Sequence, residues 1–266
     1  MKASRYVPKV KYDFASCAIR EIVAELVFES GPQWDFTLPG RLYELVKEDF
    51  PEKGFVVITE AKFEPTPHRT EERHIPVSIQ ARVKFTKANE SHLQIGQDLL
   101  VLNYLGPNPY WKNVFPLLKK TLDSYQKVCC DDEKGIPPLR RLRLQYLNLI
   151  EMPKKDWKIS DYFQLYPHVP TKLGAKSSAF QLITKIPTTS AGPYVLAEIR
   201  SAKSNKEDCV AVWLILHVTK MTRKRSLNAD KITKWFDEAH TIADFFFHEI
   251  LTEKTLRVIL GGQPRK

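Results

Sequence analysis

The sequence predicts an α+β protein that runs twice through one plan: a strand, a helix, a run of antiparallel strands and a long helix. Three observations predict it. Apolar and polar residues alternate through most of the strand-forming stretches, the period of a sheet with one face buried. Two longer stretches instead carry apolar residues at the spacing of a helix face. Helix-start signals also recur at near-constant separation. Thr37 and Ser160 lie 123 positions apart, and Asn108 and Asn228 lie 120 apart.

The elements follow in order. Ile22, Ala24, Leu26 and Phe28 alternate with Glu21, Val23, Glu25 and Glu29, which predicts a half-buried first strand. Thr37-Leu38-Pro39 supplies a cap residue and a proline for the first helical turn. Leu38, Leu42, Leu45 and Val46 keep helical spacing until Phe50-Pro51 stops the helix. Phe55 to Phe63 reads as a strand, and Glu64 to Pro76, with three prolines, reads as a loop. Val77, Ile79, Ala81, Val83 and Phe85 give the cleanest alternation in the chain, and shorter strands are expected at His92–Ile95 and Leu99–Tyr104. Asn108-Pro109 then starts a helix whose apolar stripe is Trp111, Val114, Phe115, Leu118, Leu122 and Tyr125.

The acidic, proline-ended segment Cys129 to Pro138 predicts the boundary between residues 1–133 and a second half, 134–266. There Leu142, Leu144, Tyr146, Asn148 and Ile150 alternate with Arg141, Arg143, Gln145 and Glu151 in a long strand. Ser160 caps a short helix, Asp161 to Tyr166, and strands are expected at Ala179–Ile186, Tyr194–Ser201 and Cys209–Thr219. Asn228 caps a long helix carrying Ile232, Trp235, Phe236, Ala239, Ile242, Ala243, Phe246 and Ile250. Thr255 to Leu260 is a last helical segment ended by Gly261-Gly262. The parallel between the halves predicts one compact pseudo-twofold unit. The element order is that of TATA-binding-protein-like and helix-grip folds, an analogy that concerns topology and carries no function.

Several segments in order resemble a functionally uncharacterised prokaryotic family of similar length with a sporadic distribution. They are Ala18-Ile19-Arg20-Glu21-Ile22-Val23, Trp34-Asp35 before Leu38-Pro39-Gly40-Arg41-Leu42-Tyr43, and Gln94-Ile95-Gly96 before Leu99-Leu100. Tyr110-Trp111, Arg143-Leu144-Gln145-Tyr146-Leu147-Asn148 and Tyr162-Phe163 leading to Tyr166-Pro167-His168 complete the set. The resemblance implies no activity and no catalytic residues. Its patchy distribution, like that of mobile or anti-phage genes, implies a setting in prokaryotic defence.

Composition narrows the function. Hydrophobic residues make up 43% and charged residues 27%, which excludes a disordered chain, a collagen-like fibre and a coiled coil. No stretch is long and apolar enough for a membrane span, and Met1 to Tyr12 lacks the apolar run of a secretory signal, so a cytoplasmic protein is expected. The net charge is +10. Residues 1–133 hold 18 bases and 19 acids, and residues 134–266 hold 23 bases and 12 acids. All the excess positive charge therefore lies in the second half, and such a field favours a polyanionic partner.

The basic segments are Arg140-Arg141 with Arg143, Lys154-Lys155 with Lys158 beside Trp157, and Lys220 with Arg223-Lys224-Arg225. Alternation sends Arg141, Arg143 and Gln145 to one sheet face, where arginines suit phosphates and a base can stack on Trp157 or Tyr162. Catalytic motifs are scarce. The phosphate loop, the dinucleotide fingerprint, the nucleophile elbow and the zincin motif are all missing from the sequence. Asp49 with Glu60-Ala61-Lys62 has the composition of a metal-dependent nuclease site. His240, Asp244 and His248 lie at helical spacing that can offer metal ligands, although a solvated helix face explains them more simply. Cys17, Cys129, Cys130 and Cys209 are too few for a disulfide framework, and the Cys129-Cys130 pair reads as the exit of a helix.

The expected function is thus a non-catalytic binding or accessory protein that engages nucleic acid or a protein complex handling it. The expected contacts are Arg141, Arg143, Lys154, Lys155, Trp157, Arg223, Lys224 and Arg225, with no cofactor, no metal and no membrane partner. Two other readings stand beside it: a ligand-sensing module with a pocket between sheet and long helix, and a nuclease built on Asp49, Glu60 and Lys62.

Overall fold

A computed structural model of the chain describes residues 6, 12–29, 35–62, 75–107, 109–130, 136–155, 157–168, 172, 179–189, 192–225 and 227–264, without the side chains of 58–62, 75–81, 130 and 223–225. In chain order the first half holds β1 (Tyr12–Asp13), β2 (Ile19–Phe28), α1 (Leu38–Val46), β3 (Glu52–Lys62), β4 (Ile75–Lys87), β5 (Ser91–Gly96), β6 (Leu99–Tyr104) and α2 (Trp111–Cys130). The second holds β7 (Leu139–Pro153), β8 (Gln181–Pro187), β9 (Tyr194–Ala202), β10 (Cys209–Arg225), α3 (Ala229–Ile250) and β11 (Gln263–Pro264).

Period-2 alternation drives one face of each long strand inward. Ile22, Ala24, Leu26 and Phe28 of β2 are buried, as are Leu142, Leu144, Ile150 and Met152 of β7. These two strands pair antiparallel, with Ala24 opposite Leu144, and everything else is laid out from them. From β2 the sheet continues through β6, β5 and β4 to β3 at one edge; from β7 it continues through β10 and β9 to β8 at the other. In each half, then, the first strand of the main sheet, β2 or β7, is central and pairs with the last strand of the meander that follows it. Among the described residues the result is a nine-stranded antiparallel sheet, with β1 and β11 forming a separate two-stranded sheet.

The helices cover one face. Leu118, Leu122 and Tyr125 of α2 and Ile232, Phe236, Ala239 and Ala243 of α3 share one buried cluster with Leu100, Leu102, Leu144, Leu214 and Leu216. Phe28 and Tyr125 stack with ring centroids 5.5 Å apart. Each leucine, isoleucine or phenylalanine among them contributes on the order of 1.5–3 kcal/mol by leaving water.

The mixed α+β class and the large antiparallel sheet agree with the sequence reading; several details do not. Asn228 caps α3 as expected, its side chain accepting from the Lys231 amide at 3.2 Å. Thr37 does not cap α1. Its backbone is helical, and its hydroxyl and amide both bond the Asp35 carboxylate, at 2.7 and 2.8 Å. The helix expected over Asp161–Tyr166 is only a single 3-10 turn, Ile159–Asp161. Tyr162 and Phe163 are pulled into the core, and Phe163 forms a bridge with Leu251 that a continuing helix would not allow. Residues 255–259 form a π turn, closed by Gly261 at a φ of +63°, where glycine is favoured. Of the expected 64–76 loop, Ile75 and Pro76 belong to β4, and the remainder lies outside the described residues. Trp34, Asn108 and Asp156 also lie outside them.

Phe236 is fully buried beneath α3. Phe236→Ala is expected to lower the unfolding free energy by about 3–5 kcal/mol in a urea titration. A loss below about 1 kcal/mol would mean that α3 is not seated on the sheet as described.

Candidate nucleic-acid interface

Among the described residues, no helix lies on the second face of the sheet. Residues directly opposite each other in antiparallel pairs share a face, so the register writes rows across it. One row runs Lys84, Gln94, Val101, Glu25, Arg143, Thr219, Tyr194. The next runs His92, Asn103, Val23, Gln145, His217, Leu196, Lys185. Val23, Leu99 and Val101, with Leu147 against them, form a small apolar cluster here, buried although no helix covers it.

Glu25 is the centre of this face. It accepts from Arg141 at 2.9 Å through one carboxylate oxygen and from Arg143 at 2.6 Å through the other. Two guanidinium groups therefore share one carboxylate, and the trio keeps an excess positive charge. The Nε atoms of both arginines are enclosed without a hydrogen-bond partner. Towards β5, Asn103 donates to Glu21 at 2.6 Å and accepts from Gln94 at 3.2 Å. Towards β8, the Lys185 ammonium lies 4.3 Å from the centre of the Tyr194 ring. Glu151, held by Lys206 at 3.0 Å and Ser204 at 2.9 Å, has its pKa lowered, chiefly by the Lys206 bond.

Both histidines of the face stay neutral at neutral pH. Burial first, and the Arg143 charge second, push the pKa of His217 down to about 4. Burial, followed by Lys84, lowers His92 as well. The cationic character of the face therefore comes from arginine and lysine, with no contribution from imidazolium.

The basic residues singled out by sequence fall at two ends of β7. Arg141 and Arg143 share the uncovered face near its start. Register places Met221 opposite Arg141 and Arg225 opposite Leu139, so the 223–225 tract runs beside the same end; its side chains lie outside the description. Lys154 and Lys155 are exposed at the other end, where the Lys154 amide bonds Asp208. A dozen strand residues separate the two ends, roughly 40 Å. Of the aromatic residues, Tyr162 disagrees with the stacking reading. Trp157 packs against the core, and Tyr162 is 4% exposed with the Lys254 ammonium 4.5 Å over its ring. The Tyr162 ring is closed to a base, whereas Trp157 is half-buried.

The nuclease constellation does not assemble. Asp49 is held by Lys120 at 2.7 Å, just before β3 begins. Glu60 lies eight residues beyond Glu52 along an extended strand, roughly 26 Å away, and the side chains of Glu60 and Lys62 lie outside the description. Nor do the helix-borne histidines converge. His240 Nδ1 lies 2.7 Å from the Tyr146 hydroxyl and its ring stacks on Trp111, whereas His248 Nδ1 bonds the Asp244 carbonyl at 2.8 Å and its ring stacks on Tyr12. Among the described residues no three His, Cys, Asp or Glu side chains could hold one metal ion. Cys129 is buried; the side chain of Cys130 lies outside the description.

Between sheet and α3, Tyr146, Trp235 and Phe236 are buried in the main core, and the buried Asn148 amide donates to the Leu214 carbonyl at 3.0 Å. Burial raises the Tyr146 pKa well above its usual value. An open groove of about 410 Å³ lies elsewhere, between α1 and α2, lined by Leu45, Pro116, Lys119, Lys120 and Lys127 among others. No helix of the described residues is long and apolar enough to cross a membrane.

Sequence reasoning overlooked Glu25, His92 and His217. The only available signal was charge complementarity between alternating glutamates on one strand and arginines on another, and that becomes a contact only once the register is known.

No family model matches this chain, and no curated protein matches it. Among solved structures, DynU16, a protein of the dynemicin biosynthetic locus, aligns over 86% of this chain and 98% of its own at 10% identity. The TM-score is 0.20, and a likeness at that level carries no argument.

A histidine whose folded pKa lies below its unfolded value binds fewer protons folded than unfolded. Stability attached to His217 is therefore complete above about pH 6.5 and is lost as pH falls towards about 4, by up to roughly 3 kcal/mol. His217→Gln is expected to flatten that part of the stability curve in denaturant titrations between pH 7 and pH 4. An NMR titration should find the wild-type imidazole midpoint near 4; a midpoint near 6.5 would contradict the buried, Arg143-flanked setting.

Proposed function

We propose that this chain is a non-catalytic binding or accessory protein that engages nucleic acid, or a complex handling it, through the uncovered sheet face and its basic end. One observation carries the reading: the register that gathers Arg141 and Arg143 on a face no described helix covers, with the Arg223–Arg225 tract beside the same strand end. A net charge of +10, all of it from residues 134–266, gives that end a long-range attraction for phosphates. The Glu25 clamp holds two guanidinium groups in place before any partner arrives, which reduces the ordering cost of contact. Backbone contact through arginine and lysine needs no stacking aromatic, so the burial of Tyr162 removes base stacking at that ring and leaves phosphate contact, with the half-buried Trp157 beside Lys154 and Lys155.

The rival readings draw less support. A small-molecule pocket under α3 has to displace packed side chains, and a nuclease site has to bring Asp49 and Glu60 together against the geometry of β3. The same proposal takes the two halves as copies of one TATA-binding-protein-like or helix-grip-like unit, on the strength of their matching strand order. It places the chain in the sporadic prokaryotic family, in cytoplasmic defence, on the strength of the ordered segments that resemble that family.

Binding to a labelled oligonucleotide should weaken linearly in log affinity against log salt. Replacing Arg223, Lys224 and Arg225 together by Ala should reduce that slope by roughly 0.7–0.9 for each phosphate that the variant no longer neutralises. The melting temperature of the triple variant should stay close to wild type, which separates a loss of phosphate contact from a loss of fold. No binding by the wild-type protein at low salt would end the direct nucleic-acid reading.

A further inference from the structure

The two edges of the main sheet are defended differently. Strand β8 carries Lys185 in its middle, a charge of the kind that keeps an edge from adding another strand. Strand β3, at the other edge, reads Glu-Lys-Gly-Phe-Val-Val-Ile-Thr-Glu-Ala-Lys, with no charge from Gly54 to Thr59. Phe55 is 82% exposed and Val57 64% exposed. Strand β4 pairs with β5 only over Val83–Lys87 but with β3 over nearly its whole length. The far parts of β3 and β4 therefore stand beyond the sheet as a two-stranded arm, and an isolated pair of strands is marginal in water. Among the described residues nothing pairs with the outer edge of β3.

The geometry points to a second copy of this chain as the occupant: two β3 strands pair antiparallel about a twofold axis at Val57, joining two sheets edge to edge. The strand is self-complementary in that register. Opposite positions there sum to twice 57, so Glu52 faces position 62, a lysine, twice across the dyad. A shift to an axis at Val56 sets Glu52 against Glu60, like charges that oppose pairing. The Val57 register also keeps the faces consistent, because Phe55 meets Thr59 and Val57 meets itself, all of one parity. A half-step register places Phe55 opposite Ile58 and mixes the two faces. An isologous contact of this kind closes at two copies and does not propagate along β3, while β8 keeps its own charged guard.

Sedimentation velocity of the full chain should show a concentration-dependent dimer. Val57→Lys brings two ammonium groups together at the dyad and is expected to raise the dimer dissociation constant at least tenfold. At concentrations where wild type is also monomeric, its circular dichroism and melting should be those of wild type, since Val57 is exposed in the single chain. Ile183→Lys on β8 should leave the dimer unchanged. Glu52→Lys should weaken the dimer, and Glu52→Lys combined with Lys62→Glu should restore it; this pair also decides the matter should Val57→Lys misfold. A wild-type chain that stays monomeric up to high micromolar concentration overturns the proposal and gives the edge to a different protein. A dimer indifferent to both Val57→Lys and the charge swap overturns it as well.

Discussion

The pairing of β2 with β7 is the constraint from which the other elements take their places. It sets Leu26 against Leu142 and Ala24 against Leu144 on the helix side, and Glu25 against Arg143 on the other. One ladder thus builds the middle of the core and the middle of the candidate interface together. A slip of one residue would exchange the two faces, driving Glu25 inward and Leu26 outward. The alternation on both strands makes that slip very costly, so the position of the charged cluster is fixed by apolar packing on the opposite side.

The Glu25 cluster is held by more than its charges. Two guanidinium groups this close repel each other unless a carboxylate sits between them, and a partly enclosed ion pair gains little net stability over apolar residues of similar size. Its value lies in geometry: the arginines are pre-positioned side by side, on the same face as Val23, Val101 and Leu147. Truncating Glu25 would leave two cations with no shared counter-ion, a state that an incoming anion would relieve.

Legibility in the sequence followed the range of the forces involved. The strands with strict alternation, β2, β4 and β7, were readable because period 2 is a local pattern. Asn228 was readable as a cap because its bond closes within three residues. Thr37 misled because Asp35, two residues upstream, competes for its hydroxyl. Tyr162 and Phe163 misled because Leu251, nearly ninety positions away, recruits the backbone that a helix would need. The continuation of β10 through Lys220 to Arg225 lacks apolar alternation and is stabilised by pairing with β7 alone, so nothing local announced it. At the candidate site, the shared face of Arg141, Arg143 and Gln145 was visible from period 2. Their counter-ion was not, because Glu25 is separated from them by more than a hundred residues.

That separation bears on how the chain emerges during synthesis. Ala24 must wait for Leu144, which is made 120 residues later. At ribosomal rates of about 5–20 residues per second, the inner edge of β2 is without its partner for on the order of 10 s. Throughout that interval the first meander can form its own ladder from β3 to β6 and on to β2, yet one long apolar-flanked edge stays open. The glutamates at positions 21 and 25, which later meet asparagine and arginine, are at that stage the charges that discourage the nascent edge from joining another chain.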